Sequence, residues 1–246
     1  MRLVLVTGTG TSIGKTVVTA SLASAASHAG ASVAVVKPVQ TGVRPGEPGD
    51  ADEVRRLTGL RDVRELARFD EPLAPATAAR RLGVPGLSMA ELVEPILRLR
   101  DRGLVLVEGA GGALVRLNTA GDTLIDLGLA LRAQLGQGDS LELVLVVSSG
   151  LGTLHATAAT AQAVRHAGLT VDHLVVGDWP VEPDLAQRSN LDDLPDYAQA
   201  PISGVMRAGM GGAEPSAFAE LARLGLAPAL GGSCDAAELA RLASRP

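Results

Sequence analysis

Three short stretches combine a charged residue with glycine, and their residue types suit phosphate chemistry. They are GTGTSIGKT (8–16), KPVQTG (37–42) and VEGAGG (107–112). In the second stretch, Lys37 directly follows the apolar run Val33–Val36. A lysine that ends a buried apolar run needs a partner for its charge. Lys37 is therefore a candidate for contact with an anionic group.

The first stretch has the features of a phosphate-binding loop. A glycine-rich turn leads from a predicted strand into a predicted helix, so backbone N–H groups and the helix N-terminus can surround phosphate oxygens. Lys15 can reach the terminal phosphates, and the Thr16 hydroxyl can bind Mg²⁺. The strict motif requires glycine at position 9, where this chain has Thr9 between Gly8 and Gly10. The stretch is therefore a variant phosphate loop.

Acidic residues near this loop are candidates for holding Mg²⁺. Glu108 ends an apolar run, which is the usual place for an acidic ligand of the metal in such proteins. One more carboxylate would fit, and the loop after KPVQTG offers Asp50 and Asp52. Purely structural roles are also open: Glu108 can cap the glycine turn, and Asp50 can cap a helix over Ala51–Leu57.

The predicted strands and helices bring these stretches to one edge of a sheet. Apolar runs that predict strands are Leu3–Val6, Val33–Val36, Leu104–Val107, Leu143–Val147, Leu174–Val176 and, more weakly, Ile202–Met206. Predicted helices, each followed by glycine, are Lys15–Ala29, Ser88–Arg102 and Thr153–Ala167. Continuous apolar runs alternating with helices indicate right-handed βαβ units. We expect an α/β fold of the P-loop NTPase type, with a doubly wound, mostly parallel sheet and helices on both faces.

We expect residues 1–246 to form a single domain. The Gly/Pro-rich stretch 43–50 is predicted to be a loop within it, because the alternation of strands and helices resumes beyond this point. The tail 214–246 contains two short Ala/Leu-rich segments separated by Gly225–Ser233. These segments predict two helices packed on the domain.

Composition excludes several classes of partner. Aromatic residues make up only 2%, and the net charge is −5 without runs of Lys or Arg, so affinity for nucleic acid or for anionic membranes is not expected. Cys234 is the only cysteine, which excludes an internal disulfide and a multi-cysteine metal site. Without a signal segment or a long apolar run, we expect a cytoplasmic protein.

Taken together, the motifs resemble those of the dethiobiotin synthetase family. GTGTSIGKT, KPVQTG, an aspartate early in the following helix, EPLAPATAA (71–79) and VEGAGG have that family's order and spacing over roughly residues 1 to 180. The resemblance implies a ligase that uses ATP, Mg²⁺ and CO₂ to close a cyclic urea on 7,8-diaminopelargonic acid. An amine becomes a carbamate, the carbamate takes the γ-phosphoryl group, and the second amine displaces phosphate. It also implies a homodimer with the diamine bound where the subunits meet.

Carried onto this chain, the resemblance implies a role for each matching residue. The catalytic residues would be Lys37, Lys15 and Thr11. The nucleotide would bind Gly10, Thr11, Ser12, Ile13, Gly14, Lys15, Thr16, Val17, Gly177, Asp178, Trp179 and Pro180. The diamine would bind Lys37, Thr41, Gly111, Gly112 and, at a helix N-terminus of the other subunit, Leu151, Gly152, Thr153, Leu154 and His155. Mg²⁺ would bind Thr16, Asp50 and Glu108.

Two departures from the family pattern matter. The family's strand corresponding to HLVVGDWP usually ends in an asparagine that binds the purine, where this chain has Gly177 or Asp178. Selectivity for adenine is therefore open, and another nucleoside triphosphate could serve. The substrate segment commonly reads LGxxNH, whereas here His155 is followed by Ala156.

The residues also leave alternatives open. Lys37 can act as a stabilising charge or, if Lys15 lowers its pKa, as the proton acceptor. An amide-forming P-loop ligase of the cobyrinic acid a,c-diamide synthetase type is an alternative, although the chain has no room for a glutaminase domain. A ParA/MinD-type ATPase switch is another, but its signature lysine is replaced by Gly10.

Overall fold

The central strands bury alternate residues on opposite faces. In β1 (Arg2–Gly8), Leu3 and Leu5 belong to one hydrophobic core, and Val4 and Val6 belong to the other. A strand that is apolar on both faces requires cover on both faces. The chain therefore folds as three layers, with a sheet between two layers of helices.

The computed structural model describes residues 1–244, and in this part of the chain seven strands form one parallel sheet. The strands are β1, β2 (Val33–Lys37), β3 (Gln40–Thr41), β4 (Val63–Glu65), β5 (Arg68–Phe69), β6 (Leu104–Glu108), β7 (Ser140–Val147), β8 (His173–Trp179) and β9 (Ile202–Arg207). The order across the large sheet is β4-β2-β6-β1-β7-β8-β9, and every pairing is parallel. β3 and β5 form a separate small parallel pair.

Helices cover the sheet unequally. They are α1 (Lys15–His28), α2 (Asp50–Thr58), α3 (Pro75–Arg81), α4 (Met89–Leu97), α5 (Leu124–Arg132), α6 (Thr153–His166), α7 (Leu185–Ala198), α8 (Pro215–Gly225) and α9 (Ala236–Ser244). α1, α2 and α8 pack on one face, and the other helices pack on the opposite face. None of the helices within residues 1–244 has the length and apolar character needed to cross a membrane.

The predicted fold class is confirmed, and the six predicted strands are all present. The helix predicted over Ser88–Arg102 is shorter and ends at Leu97. The α-helical bonding continues past Pro95 as far as the Arg98 N–H, which donates to the Glu94 carbonyl oxygen, and the following residues form tighter turns, such as Leu99 N–H to the Ile96 carbonyl oxygen. Strands β3, β4 and β5 were not predicted, because two or three residues give no recognisable apolar run.

The two helices predicted in the tail correspond to α8 and α9. α8 contacts α1 and α2, and α9 contacts α7. The predicted tail extends to position 246, and residues 245–246 lie outside the described part. The organisation of the whole chain as a single domain stays a prediction.

Candidate active site

A cavity of about 670 Å³ opens at the carboxyl ends of β1, β2 and β6. Ligands of open α/β sheets bind at this edge. The cavity is lined by the loop before α1, by the segment after β2, by the first residue of α2 and by the turn after β6. Of the predicted site residues it brings together Thr11, Ser12, Ile13, Gly14, Lys15, Thr16, Val17, Lys37, Thr41, Asp50, Glu108 and Gly111.

The phosphate loop between β1 and α1 is held by close backbone packing. Gly14 has a left-handed conformation, with φ 88°, and a β-carbon there would lie 2.2 Å from the Gly177 carbonyl oxygen. A β-carbon on Gly177 would lie 2.0 Å from the Ile13 carbonyl oxygen. Only glycine fits at both positions, so β8 packs directly against the loop. In the described residues no side chain caps the N-terminus of α1, which leaves its N–H groups available to an anion.

Lys15 lies inside this loop with little exposure to solvent. Its side chain is 7% exposed, and its Nζ donates a hydrogen bond to the Gly10 carbonyl oxygen at 2.6 Å. No carboxylate of the described residues lies within ion-pair distance of Nζ. Lys15 is therefore a buried cation without a counter-charge in direct contact. Its ammonium group is available to bind a phosphate.

Lys37, at the end of β2, is a buried cation with two counter-charges. Its Nζ lies 2.6 Å from Asp50 Oδ2 and 2.8 Å from Glu108 Oε1, and it also donates to the Gly109 carbonyl oxygen. Thr16 Oγ1 donates to the same Glu108 oxygen at 2.9 Å. The three predicted metal ligands are thus gathered around one ammonium group. Two carboxylates and a hydroxyl form the kind of oxygen donor set that suits Mg²⁺.

The two lysines have opposite pKa shifts. Burial, and secondly the neighbouring ammonium of Lys37, lower the pKa of Lys15. Burial acts in the same direction on Lys37, but the charges of Glu108 and Asp50 and hydrogen bonds to both outweigh it and raise the pKa of Lys37. The condition for proton acceptance, a lowered pKa of Lys37, is therefore not met in the free protein. Lys37 is held as an ammonium ion at neutral pH, which favours the stabilising charge over the proton acceptor.

The structure distinguishes the two aspartates in the first turn of α2. Asp50 is the first residue of the helix, which is capped by Gly49, and its carboxylate faces the cavity. Asp52 accepts the Gly49 N–H at 2.9 Å and pairs with Arg55. The bond from Gly49, with a smaller contribution from the nearby arginines, holds the pKa of Asp52 below its usual range. Asp50 is therefore the carboxylate available to the site, and Asp52 closes the helix end.

Gln40 lies in the cavity wall, and its role was not predicted. Its Oε1 accepts the backbone N–H of Asp50 at 2.9 Å, and its Nε2 donates to the Thr41 carbonyl oxygen. Gln40 thereby fixes the start of α2 and the orientation of Asp50. The stretch 72–75 also lines the cavity. Both lie within motifs that carry the resemblance, which is the one signal in the sequence that could have identified them.

The glycines after β6 act in different ways. Gly111 lines the cavity with φ 69°, and a β-carbon there would contact Val115 at 2.9 Å. Gly112 is outside the cavity lining and packs against the backbone of Gly8, Thr9 and Gly10. It supports the phosphate loop from the side of β6.

Four residues predicted to bind the nucleotide lie at the end of β8, away from the lining of this cavity. They are Gly177, Asp178, Trp179 and Pro180. Gly177 contacts the phosphate loop through its backbone, and Asp178 is exposed. Trp179 and Pro180 line a different cavity of about 980 Å³ beside α7, α8 and α9. Because a side chain at position 177 would strike Ile13, Asp178 is the side chain at this strand end that can face a base.

The segment predicted to meet the substrate of the other subunit lies at the start of α6. Leu151 is 88% exposed, Gly152 and His155 are exposed, and Leu154 is half-buried. Thr153 is buried, and its hydroxyl donates to the Ser148 carbonyl oxygen. None of the five lines the phosphate-loop cavity of its own chain. Their contact with a diamine stays a prediction.

Taken together, the cavity can bind a polyphosphate beside two ammonium groups. The loop supplies backbone N–H groups, and the buried side chains of Lys15 and Lys37 supply positive charge. Preorganised donors of this kind stabilise negative charge that develops on a reacting group. Phosphoryl transfer onto a second anion is the reaction class that such an arrangement fits.

Comparisons with known proteins agree with this chemistry. Residues 2–207 match a family model described as an AAA domain. The chain is 51% identical to the ATP-dependent dethiobiotin synthetase BioD of Parafrankia sp., with 98% of each chain covered. It is 52% identical to the enzyme of that name from Frankia casuarinae, with 97% of each covered, and 50% identical to the one from Streptomyces coelicolor, with 96% of each covered.

One solved structure supports the fold alone. A chain of the MinC:MinD cell division protein complex of Aquifex aeolicus aligns with a TM-score of 0.55 and 13% sequence identity. The alignment covers 95% of this chain and 97% of that one. This similarity supports the fold, a layered parallel sheet, and says nothing about function.

Proposed function

The chain belongs to the family of ATP-dependent dethiobiotin synthetases, and from this we propose that its phosphate-loop cavity carries out a Mg²⁺-assisted carboxylation and ring closure. The enzyme is an ATP-dependent ligase of biotin biosynthesis. The reaction converts 7,8-diaminopelargonic acid, CO₂ and ATP into dethiobiotin, ADP and phosphate through a carbamate and a carbamic-phosphoric anhydride. Similarity over almost the full length of both chains is the observation that carries the proposal.

The triphosphate binds the loop from Gly10 to Val17. The uncapped N-terminus of α1 and the unpaired ammonium of Lys15 support this assignment, because both offer positive charge to an anion. Thr11 faces the same cavity and contributes a hydroxyl. Asp178, exposed at the end of β8, is the side chain that faces the nucleotide base.

The metal binds Thr16, Asp50 and Glu108. Their convergence on one ammonium group supports the assignment, since three oxygen donors already lie together. The metal would supply positive charge to the phosphate oxygens of the bound nucleotide. Thr16 and Lys37 hold the Glu108 carboxylate, and Lys37 holds the Asp50 carboxylate. Gln40 fixes the backbone N–H of Asp50, so both carboxylates start from defined positions.

Lys37 and Thr41 bind the reacting end of the diamine. Carbamate and triphosphate are both anions, and their mutual repulsion opposes the transfer. Lys37, kept protonated by two carboxylates, reduces that repulsion from the diamine side, while Lys15 reduces it from the phosphate side. In this role Lys37 acts as a charge and not as the acceptor of the amine proton.

The active form is a cytoplasmic homodimer. In it the start of α6, Leu151 to His155, contributes to the site of the other subunit. The exposure of Leu151 supports this, because a large apolar side chain that is 88% exposed is better placed in an interface. Neither an amide-forming ligase nor a MinD-type switch is favoured by the comparisons.

A labelled-carbon assay tests the function. Purified protein is mixed with MgATP and ¹³C-bicarbonate, with and without 7,8-diaminopelargonic acid, while phosphate release and product mass are measured. We expect phosphate release only with the diamine, and one ¹³C atom in the ring of each dethiobiotin. Phosphate release at the same rate with and without the diamine would refute the proposal. Replacing ATP by CTP or GTP in the same assay shows which base is accepted at the end of β8, beside Asp178.

A further inference from the structure

The turn that leads from β7 into α6 is held by a side chain of α7. Asn190 Nδ2 donates to the Ser149 carbonyl oxygen at 2.7 Å and to the Gly150 carbonyl oxygen at 3.2 Å. Asn190 is 6% exposed and lies in the interior of α7, where asparagine is an unfavourable residue because its amide competes for backbone hydrogen bonds. Its two bonds outside the helix therefore give it a role that helix formation does not explain.

Further hydrogen bonds fix the same turn. The Thr153 hydroxyl donates to the Ser148 carbonyl oxygen at 2.6 Å, and the Thr153 N–H donates to the Gly150 carbonyl oxygen at 3.2 Å. The Ser149 hydroxyl donates to the Asp178 carbonyl oxygen at 3.1 Å, which ties the turn to the end of β8. The three successive carbonyl groups of residues 148–150 thus all accept hydrogen bonds from α6 or α7.

Holding these carbonyl groups also sets the direction of the N–H groups that follow them. The N–H and C=O of a trans peptide unit point in opposite directions. Because the Ser149 and Gly150 carbonyl groups point toward α7, the N–H groups of Gly150 and Leu151 point away from it. Neither N–H group has an acceptor in residues 1–244, and no side chain of that part caps α6. The turn therefore presents unpaired N–H groups at the surface.

Packing alone does not hold the turn in this orientation. A β-carbon on Gly150 or on Gly152 would meet no atom of the described residues within 4 Å, and glycine restricts backbone rotation less than any other residue. A peptide unit that rotated here would present its carbonyl oxygen, which repels an anion, in place of its N–H group. The hydrogen bonds from Asn190 oppose that rotation in two successive peptide units.

We propose that Asn190 is a positioning residue for the carboxylate of the diamine substrate. The inference rests on the proposed function, in which the start of α6 contributes to the site of the other subunit, and it assigns the substrate carboxylate to the N–H groups there. Asn190 does not touch the carboxylate, and it acts by keeping the N–H groups of the turn directed at it. Its removal should weaken binding of the charged end of the substrate and leave the reacting end unaffected.

Asn190→Leu tests this role with the diamine acid and its methyl ester. Leucine has a similar size and no hydrogen-bond donor, so both bonds to the turn are lost. We expect KM for the acid to rise about tenfold, kcat to change by no more than about twofold, and KM for the uncharged ester to stay as in the wild type. Asn190→Ala, which adds no apolar bulk beside the carbonyl groups, is the second variant and should give the same pattern.

Leu194→Ala is the matched control within the same helix. Leu194 lies one turn further along α7, is fully buried and packs in the hydrophobic core. Its truncation should lower the midpoint of urea denaturation, because it leaves a cavity, and should keep the wild-type ratio of acid to ester KM. If the Asn190 variants also fold and keep that ratio, Asn190 only stabilises the fold and the proposal is overturned.

Calorimetric titration separates failure of this proposal from failure of the proposed function. Binding of the acid and of the ester is measured on wild type and Asn190→Leu with a non-hydrolysable ATP analogue present. A preference of the wild type for the acid that the variant loses supports the proposal even if no dethiobiotin is formed. A preference that the variant keeps, or equal binding of acid and ester by the wild type, refutes it even if dethiobiotin is formed.

Discussion

The ends of β1 and β2 each deliver a buried lysine into one cavity, and these are the only two lysines of the chain. Lys15, after β1, donates from Nζ to the Gly10 carbonyl oxygen and has no carboxylate of residues 1–244 within ion-pair distance, whereas Lys37, at the end of β2, lies between two carboxylates. The pKa of Lys15 is lowered and that of Lys37 is raised. Two similar side chains a short distance apart are thus prepared for different tasks. Lys15 has no carboxylate partner and is available to an anion, whereas Lys37 already contacts the carboxylates of Asp50 and Glu108.

The largest expected effects are on activity, and replacing each lysine should affect a different step: nucleotide binding for Lys15 and product formation for Lys37. Lys15→Ala should abolish nucleotide-dependent turnover and weaken nucleotide binding, because it removes the cation inside the phosphate loop. Lys37→Ala should spare nucleotide binding and reduce product formation by a factor on the order of 10²–10³, the cost of losing one preorganised charge. Nucleotide affinity by calorimetry and dethiobiotin formation by mass spectrometry check both.

The exposed Arg61→Ala variant controls for a general loss of positive charge and should behave as wild type. If Lys37→Ala lost nucleotide binding as fully as Lys15→Ala, the two lysines would serve one ligand, and the contrast between the strand ends would fail. If Lys37→Ala kept full activity, the assignment of the diamine side would be wrong.

The next effect is on stability, and its direction differs between the lysines. Lys37→Met leaves Glu108, which is 1% exposed, without its cation, and removing one partner of a buried ion pair costs about 3 kcal/mol of the free energy of unfolding. Lys15→Met removes a buried charge that has no carboxylate in contact, so the free protein should lose no stability and can gain up to about 1 kcal/mol. Urea denaturation at neutral pH without nucleotide measures both changes.

A double variant sharpens this comparison. Lys37→Met combined with Glu108→Gln removes both charges of the pair, so its loss of stability should be smaller than the sum of the two single losses by at least about 1 kcal/mol. Additive losses would mean that the buried pair contributes no coupling. Equal destabilisation by Lys15→Met and Lys37→Met would contradict the difference between the two environments.

Much of this site could be predicted from the sequence, and for one physical reason. Continuous apolar runs identify the buried parallel strands, and the carboxyl ends of such strands share one edge of the sheet. Lys37 and Glu108 follow two of those runs directly, and Lys15 follows a third through a glycine-rich loop. Their meeting in one cavity therefore needs no knowledge of side-chain contacts.

What could not be predicted depends on contacts across the chain. The choice of Asp50 over Asp52 rests on where α2 begins, which is fixed by the Gln40 side chain bonding to the Asp50 amide. The absence of a side chain at position 177 follows from its backbone meeting Ile13, a contact between β8 and the first loop. Neither contact leaves a periodic or compositional trace in the sequence.

The smallest expected effect is on the pH dependence of stability, and it tests the lysine contrast most directly. With a native pKa below 10.5, Lys15 loses its proton in the folded protein before the unfolded one, so its burial cost should fade as pH rises toward 10.5. Lys37, with a native pKa above 10.5, keeps its stabilising charge over that whole range. The difference in unfolding free energy between wild type and Lys15→Met should therefore shrink between about pH 7 and 10, while the difference between wild type and Lys37→Met stays constant.

Urea denaturation of the three proteins at several pH values gives these differences, and titrating groups that the proteins share cancel in the subtraction. Lysine-selective ¹³C labelling adds a direct check, because the protein should show two lysine signals, one titrating below and one above 10.5. A Lys37 signal that titrates first would reverse the assignment. Lys37 would then be the lysine able to accept the amine proton, and Lys15 the permanent charge.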